Sequence, residues 1–192
     1  GAGRTGGESG TDEQAALDPA VTEKLELASE RSLGIEGIEP LVSREFYNVD
    51  INSVDPTLET DGWSLSVTGA VEEPYSIDYE TLTSRESREE FVSLRCVGEG
   101  INGKKLDNAL WTVVDAMPIL EAAGLPDECC VMARAADDFY EEFPLAAMED
   151  AMLAYRMNGR PLPRAHGRPG RLLVPGHRGA IDVKWIDEIE IL

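Results

Sequence analysis

Phe91-Val92-Ser93-Leu94-Arg95-Cys96-Val97-Gly98-Glu99-Gly100 is an apolar run that delivers a single cysteine into a glycine-flanked turn. Glycine has no side chain to hold a neighbour off, so a strand ending in Gly98 and Gly100 can bring its backbone close to a bulky group. Cys96 is therefore a candidate metal ligand. Read locally, it better fits a small buried hydrophobe, the usual state of an unpaired cysteine. Phe91 to Cys96 is expected to be the central strand of a sheet.

Outward from this stretch, Trp63 to Thr68 and Phe46 to Asn52 alternate apolar and polar side chains, the period of half-buried strands. Gly69 and Pro74 break the former, and Asp78 to Leu82 reads as a short helix or turn. Trp111 to Ala123 carries apolar residues at helical spacing, interrupted by Pro118 and closed by Gly124. Further strands are expected at Cys130 to Ala135, Met152 to Met157, Arg171 to Val174 and Val183 to Ile191, with a turn at Asp137-Asp138 and a short helix at Leu145 to Asp150. Near the start, Asp18-Pro19 opens a helix with an N-cap and a first-turn proline. Val21, Leu25 and Ala28 form its apolar stripe through Arg31, and Gly34 ends it. Strands mixed with short helices, without an internal repeat, make an α+β domain.

The 192 residues suffice for one domain with an arm. Residues 1–16, rich in Gly, Ser, Thr and acids, read as a flexible linker or an added leader; 17–45 as an N-terminal helix and connection; and 46–192 as the functional domain. With 37 acidic against 17 basic residues the net charge is -20, which repels nucleic acid and anionic lipid. No nucleic-acid partner is expected. The acids are spread along the chain as a solvated coat, a halophilic-like pattern that suits adaptation to high salt and equally an ordinary acidic domain. Three cysteines, two of them the adjacent pair Cys129-Cys130, do not make a disulfide framework, and that pair reads as buried strand. No apolar stretch approaches the length of a membrane span. The chain opens at Gly1 without an initiator methionine, as a processed or truncated chain would.

A second stretch completes the pattern: Met157-Asn158-Gly159-Arg160-Pro161-Leu162-Pro163-Arg164-Ala165-His166-Gly167-Arg168-Pro169-Gly170-Arg171, then Val174-Pro175-Gly176 and Val183-Lys184-Trp185. Together with Phe46-Tyr47, Trp63-Ser64-Leu65, Leu94-Arg95-Cys96 and Ala109-Leu110-Trp111-Thr112, in this order, it resembles the sulfite oxidase superfamily, the oxidoreductase molybdopterin-binding domain, from about Phe46 to Leu192. The resemblance implies the compact mixed fold of that catalytic domain. It also implies a molybdenum cofactor with one molybdopterin, to which Cys96 would supply a thiolate. Molybdopterin carries a phosphate and a flat pterin, and its pocket calls for cations, neutral donors and close backbone. By resemblance His166, Arg171 and Lys184 hold it, with Arg171 a bidentate phosphate ligand and Lys184 a point charge. Asp182 and Val183 would add backbone contacts, and Tyr47 with Asn48 would form the early cofactor-contacting segment.

The chain also departs from the family. Where sulfite oxidases place an arginine five residues after the cysteine to grip sulfite, it has Ile101, and it has Val49 where they tend to have another. It ends at Leu192, whereas family members continue into a segment with an active-site tyrosine and, in sulfite oxidases, a dimerisation domain, so the sulfite oxidase dimer is not expected. The triplet Arg95-Cys96-Val97 is closer to the bacterial periplasmic branch that reduces protein methionine sulfoxide. The resemblance implies an oxidoreductase moving an oxygen atom to or from a small sulfur or nitrogen oxide, with a haem or other electron carrier as partner. The alternative is a non-catalytic cofactor-binding or electron-relay domain serving a membrane partner through the 1–16 linker. An extracytoplasmic or membrane-tethered setting is favoured over a cytoplasmic one.

Overall fold

The computed structural model describes residues 16–31, 48, 54–95, 106–127, 130–177 and 179–192. In chain order its elements are α1 (Pro19–Ser29), β1 (Ser64–Gly69), β2 (Tyr75–Asp78), α2 (Tyr79–Thr83), β3 (Arg88–Arg95), β4 (Leu106–Asp115), α3 (Met117–Glu121), β5 (Cys130–Ala135), β6 (Tyr140–Pro144), β7 (Met152–Met157), β8 (Arg160–Pro161), β9 (Arg171–Leu173) and β10 (Ile186–Ile191), with single 3-10 turns between some of them. The first sheet runs β2-β1-β10-β5-β6. Only β1 and β10 are parallel in it, Val67 lying opposite Ile189. The second runs β3-β4-β7-β8, with β9 beside the first half of β7 and β8 beside its end.

Burial follows from strand alternation. Leu65, Val67 and Ile77 of the first sheet share a core with Val114, Leu153, Tyr155 and Leu172 of the second and with Ile119 and Leu120 of α3. The opposite face of the second sheet carries another cluster, including Val92, Leu94, Trp111, Val113, Ala154 and Leu173. A sheet with apolar side chains on both faces loses the clean alternation of a surface strand.

That is why β4 misleads. Trp111 to Ala123 was expected to be one helix, but the chain stays extended to Asp115 and is helical only from Met117 to Glu121. Trp111 and Val113 enter one cluster and Val114 the other, helped by a register shift between Thr112 and Val113. Buried on both faces and rich in β-branched residues, the run mimics helical spacing while favouring a strand. Pro118 sits in the first turn of α3, where proline is tolerated. Among the described residues β3 is also not central: it ends its sheet's order, pairing with β4, and Phe91 is 40% exposed. The last strand begins at Ile186, not Val183, because Trp185 has a left-handed backbone (φ 50). Besides β4, three strands among the described residues escaped the sequence reading: short β2, edge strand β6, where only Phe143 is buried, and β8 after the Asn158-Gly159 turn. Both turn residues have positive φ, as a two-residue hairpin turn requires.

The short helix expected at Leu145 to Asp150 is a single 3-10 turn over Leu145–Met148, and several other expectations hold. Asp18 Oδ1 accepts the Ala20 amide at 2.8 Å and α1 buries Val21 and Ala28, although it stops at Ser29. Lys24 of α1 pairs with Glu89 of β3. β5 and β7 have the expected bounds, and Asp78 caps α2 through the Thr81 amide. Cys130 opens β5 but is half-buried, not buried; Cys129 lies outside the described residues. So do the Phe46 to Asn52 strand apart from Asn48, most of the 1–16 leader, and the connection after Arg31 with Gly34.

Gly69 shows how tightly β1 and β10 are joined. Its φ is +85°, and a Cβ there would lie 2.0 Å from the Ile191 carbonyl oxygen, a backbone atom that cannot rotate away. Gly69→Ala should therefore cost more than the ~1 kcal/mol of left-handed backbone alone. Urea denaturation of the two proteins measures it; a loss below that figure would show that the strand pair gives way easily.

Candidate cofactor site

The site is organised by Arg171. In β9 it lies opposite Ala154 of β7, and it shares a face with Leu173, two residues on, which belongs to the Trp111 cluster. The side chain is only 6% exposed. Its Nη1 donates to the His166 carbonyl (3.2 Å) and its Nη2 to the Asp182 carbonyl (2.9 Å). The guanidinium carbon lies 5.4 Å from the centre of the Trp111 ring. An arginine stays ionised, so burial is tolerable only where carbonyls and an aromatic face answer the charge. One fork thus ties together the chain before β9 and the chain after it.

Asp182 is 4% exposed, and its Oδ1 accepts the Val174 amide at 2.6 Å. Burial pushes its carboxyl up to about 7, against the opposing pull of the Val174 N–H and the Arg171 charge. Buried Val183 accepts the Leu172 amide through its carbonyl (2.9 Å). Lys184 Nζ donates to Asn48 Oδ1 (2.7 Å) and to the Ala165 carbonyl (3.0 Å), and lies 4.7 Å from the Trp185 ring centre. Trp185 holds its left-handed backbone, unusual for a bulky residue, while its indole donates to the Arg164 carbonyl at 2.8 Å. At Gly167 (φ +107) a Cβ would meet Arg171 Cβ and Lys184 Cα, each at 3.1 Å. Glycine lets these two strands of the loop close on each other.

The structure therefore brings together Asn48, His166, Arg171, Asp182, Val183 and Lys184. Tyr47, Cys96, Val49 and Ile101 lie outside the described residues. Arg171 is not an exposed fork: two of its nitrogens hold the loop's own carbonyls, and the Asp182 carbonyl is spent on it. Sequence reasoning missed Trp111, the Asp182 carboxylate and Arg164, which donates to the carbonyls of Pro56 and Asp55. One signal was available. Six of the chain's 17 cations (Arg160, Arg164, Arg168, Arg171, Arg178 and Lys184) fall between 160 and 184, with Asp182 the one acid there. Such an island in a chain of net charge -20 suits an anionic ligand. Half-buried His166 and Lys184 over a buried guanidinium fit a flat group that carries a phosphate.

A cationic loop closed on a buried guanidinium suits an anionic ligand, and comparison with known proteins gives the family. The family described as oxidoreductase molybdopterin binding domain matches residues 52–192, and the chain belongs to it. The chain is 32% identical over 171 residues to mitochondrial sulfite oxidase of Drosophila melanogaster, a match covering 79% of this chain and 28% of that protein. It is 27% identical over 179 residues to nitrate reductase [NADPH] of Fusarium oxysporum, covering 79% and 20%. The chain spans less than a third of the length of these two relatives. The crystal structure of the sulfane dehydrogenase SoxCD from Paracoccus pantotrophus is similar with a TM-score of 0.69 and 21% identity, over 97% of this chain and 56% of that one. The α+β fold is thus of sulfite-oxidase type, and family membership makes molybdenum-bearing molybdopterin the cofactor.

Asp182 gives a pH test. Its folded pKa of about 7 stands above the usual 3.8, so the folded chain keeps a proton that the unfolded chain releases. The associated stability is complete below about pH 4 and is lost as pH rises through about 7. Asp182→Asn keeps the acceptor for Val174 and cannot ionise. The stability of Asp182→Asn relative to wild type should grow between pH 4 and 8 by on the order of a few kcal/mol. Urea titrations of the apoprotein across that range measure the difference; a constant one would mean that Asp182 ionises normally.

Proposed function

We propose that this chain is the molybdenum-molybdopterin module of an oxidoreductase that moves an oxygen atom to or from a small sulfur or nitrogen oxide. The observation that carries this reading is the cationic loop at 160–184, closed on buried Arg171 in an otherwise acidic chain. Lys184, His166, Asn48 and Tyr47 would hold the pterin and its phosphate. Arg171 would fix the loop from beneath and add its charge to the phosphate site. Cys96 would ligate the metal as a thiolate. In support, β3, which ends one residue before Cys96 in the sequence, buries Val92 and Leu94 in the cluster that holds Trp111, the ring against which Arg171 lies. Bound there, the metal supplies two-electron oxygen-atom transfer, and the protein supplies binding, orientation and electrostatics. The electrons would pass to or from a separate carrier, a haem protein among the candidates. An extracytoplasmic or membrane-tethered setting belongs to the same reading.

In sequence, Ile101 and Val49 occupy the positions at which the resemblance implies arginines, and a dianion desolvated without such partners binds poorly. A neutral S-oxide is the better substrate on this reading.

Two experiments test it. Cys96→Ser replaces a soft ligand by a hard, mostly protonated one. We expect activity to vanish and the Mo(V) resonance to change while the fold persists; an active variant with an unaltered resonance would exclude Cys96. The second is steady-state sulfite oxidation by metal-loaded wild type and Ile101→Arg, beside reduction of methionine sulfoxide and dimethyl sulfoxide. One charged hydrogen bond of ~1.5–3 kcal/mol should raise sulfite affinity roughly ten- to hundredfold in the variant. Efficient sulfite turnover by wild type would show that other residues bind the anion.

A further inference from the structure

Trp111 is wholly buried, and its two sides touch two different parts of the site. Its indole Nε1 donates to the Val92 carbonyl of β3 at 3.2 Å. Val92 is not the partner that strand pairing gives Trp111, since Trp111 lies opposite Glu90 and Val92 opposite Ala109. The bond is therefore an extra tie from a side chain of β4 to the backbone of β3. The flat face of the same indole carries the Arg171 guanidinium at 5.4 Å.

Arg171 is on β9 and Trp111 on β4, with β7 between them. The residue of β7 opposite Arg171 is Ala154, which is fully buried and lies opposite Val113 on its other side. A methyl group at that crossing leaves the guanidinium room to pass over β7 and reach the indole. A larger side chain at 154 would fill that path.

We infer that Trp111 is a positioning residue of the cofactor site, a buried strut that sets the Arg171-bound loop against β3. Arg171 gathers the carbonyls of His166 and Asp182, so where its guanidinium rests decides how the two halves of the cationic loop face each other. The indole fixes that resting place through its face and fixes β3 through its N–H. The inference rests on the cofactor reading given above for what the loop holds, but the strut itself can be examined without cofactor.

The test uses the full chain, as wild type, Trp111→Phe, Trp111→Leu and the control Leu120→Ala. Leu120 is fully buried in the other core, so its truncation removes stability without touching the strut. In the apoprotein, amide hydrogen exchange is followed at residues 91–94 and 163–184. Trp111→Phe keeps an aromatic face and lacks the donor, so exchange should quicken in β3 while the loop stays protected. Trp111→Leu lacks both, so exchange should quicken at least tenfold in both segments. Leu120→Ala should not favour either segment. Molybdopterin retained after gel filtration, read by fluorescence of the released oxidised pterin, should fall at least tenfold in Trp111→Leu and stay within a few-fold of wild type in Trp111→Phe and Leu120→Ala. Loop exchange in Trp111→Leu no faster than in Leu120→Ala would overturn the strut, and so would full pterin retention by Trp111→Leu. If Trp111→Leu does not fold, Trp111→Phe decides: unchanged exchange in β3, or loss of loop protection despite the retained ring, overturns the inference. A wild type that takes up no molybdopterin would instead sink the cofactor reading, and the exchange results would still judge the strut.

Discussion

An arginine that is only 6% exposed must have its charge answered where it lies, and the loop from Pro163 to Lys184 is shaped by how that is done for Arg171. Carbonyls from either side of β9 turn inward to it, and the Trp111 ring lies against it. Further consequences follow from this closure. Asp182 is carried into the interior with its carboxylate on the Val174 amide, and Gly167 must lack a side chain so that Arg171 and Lys184 can approach. Lys184 is left half-buried beside Asn48, next to a tryptophan whose backbone is left-handed. The buried cation thus organises the site more than it decorates it.

The sequence was most legible where one face of an element is buried. Helix α1 and strand β5 could be placed from period and cap, because their apolar residues recur at the spacing that their geometry imposes, whereas β7, buried on both faces, was placed as a short apolar run. β4 was illegible for the opposite reason. With Trp111, Val113 and Val114 divided between two clusters across a register shift, neither period survives in the string. At the site, the family resemblance pointed His166, Arg171 and Lys184 to one locus, and the chain brings them near one another. It could not show that the Arg171 fork faces its own loop, because that depends on which carbonyls turn inward. Asp182 was equally hidden as an ionisable group, since one more acid among 37 looks like surface.

The charge distribution has a sharper meaning once the loop is placed. A coat of acids raises the cost of bringing any anion near, and it does so most at low ionic strength. The cations between 160 and 184 act only over the last several ångströms, within a Debye length of ~8 Å at physiological salt. Discrimination among anions therefore falls to groups that can reach into this one loop. Size and shape matter there as much as charge.

β10 is the last strand in chain order, yet it stands in the middle of the first sheet, parallel to β1 and antiparallel to β5. Without it, β2-β1 and β5-β6 are two separate hairpins that share no ladder. The segment directly before β10 is the cationic loop, anchored at its exit by the Ile186 amide on the Gly170 carbonyl and by the Trp63 indole on the Ile186 carbonyl. As the chain is synthesised, the first sheet is complete only once this strand is made, and non-local pairing of this kind is intrinsically slow. The same strand bears both anchors at the exit of the cationic loop, so that end of the loop is fastened by the strand that completes the sheet.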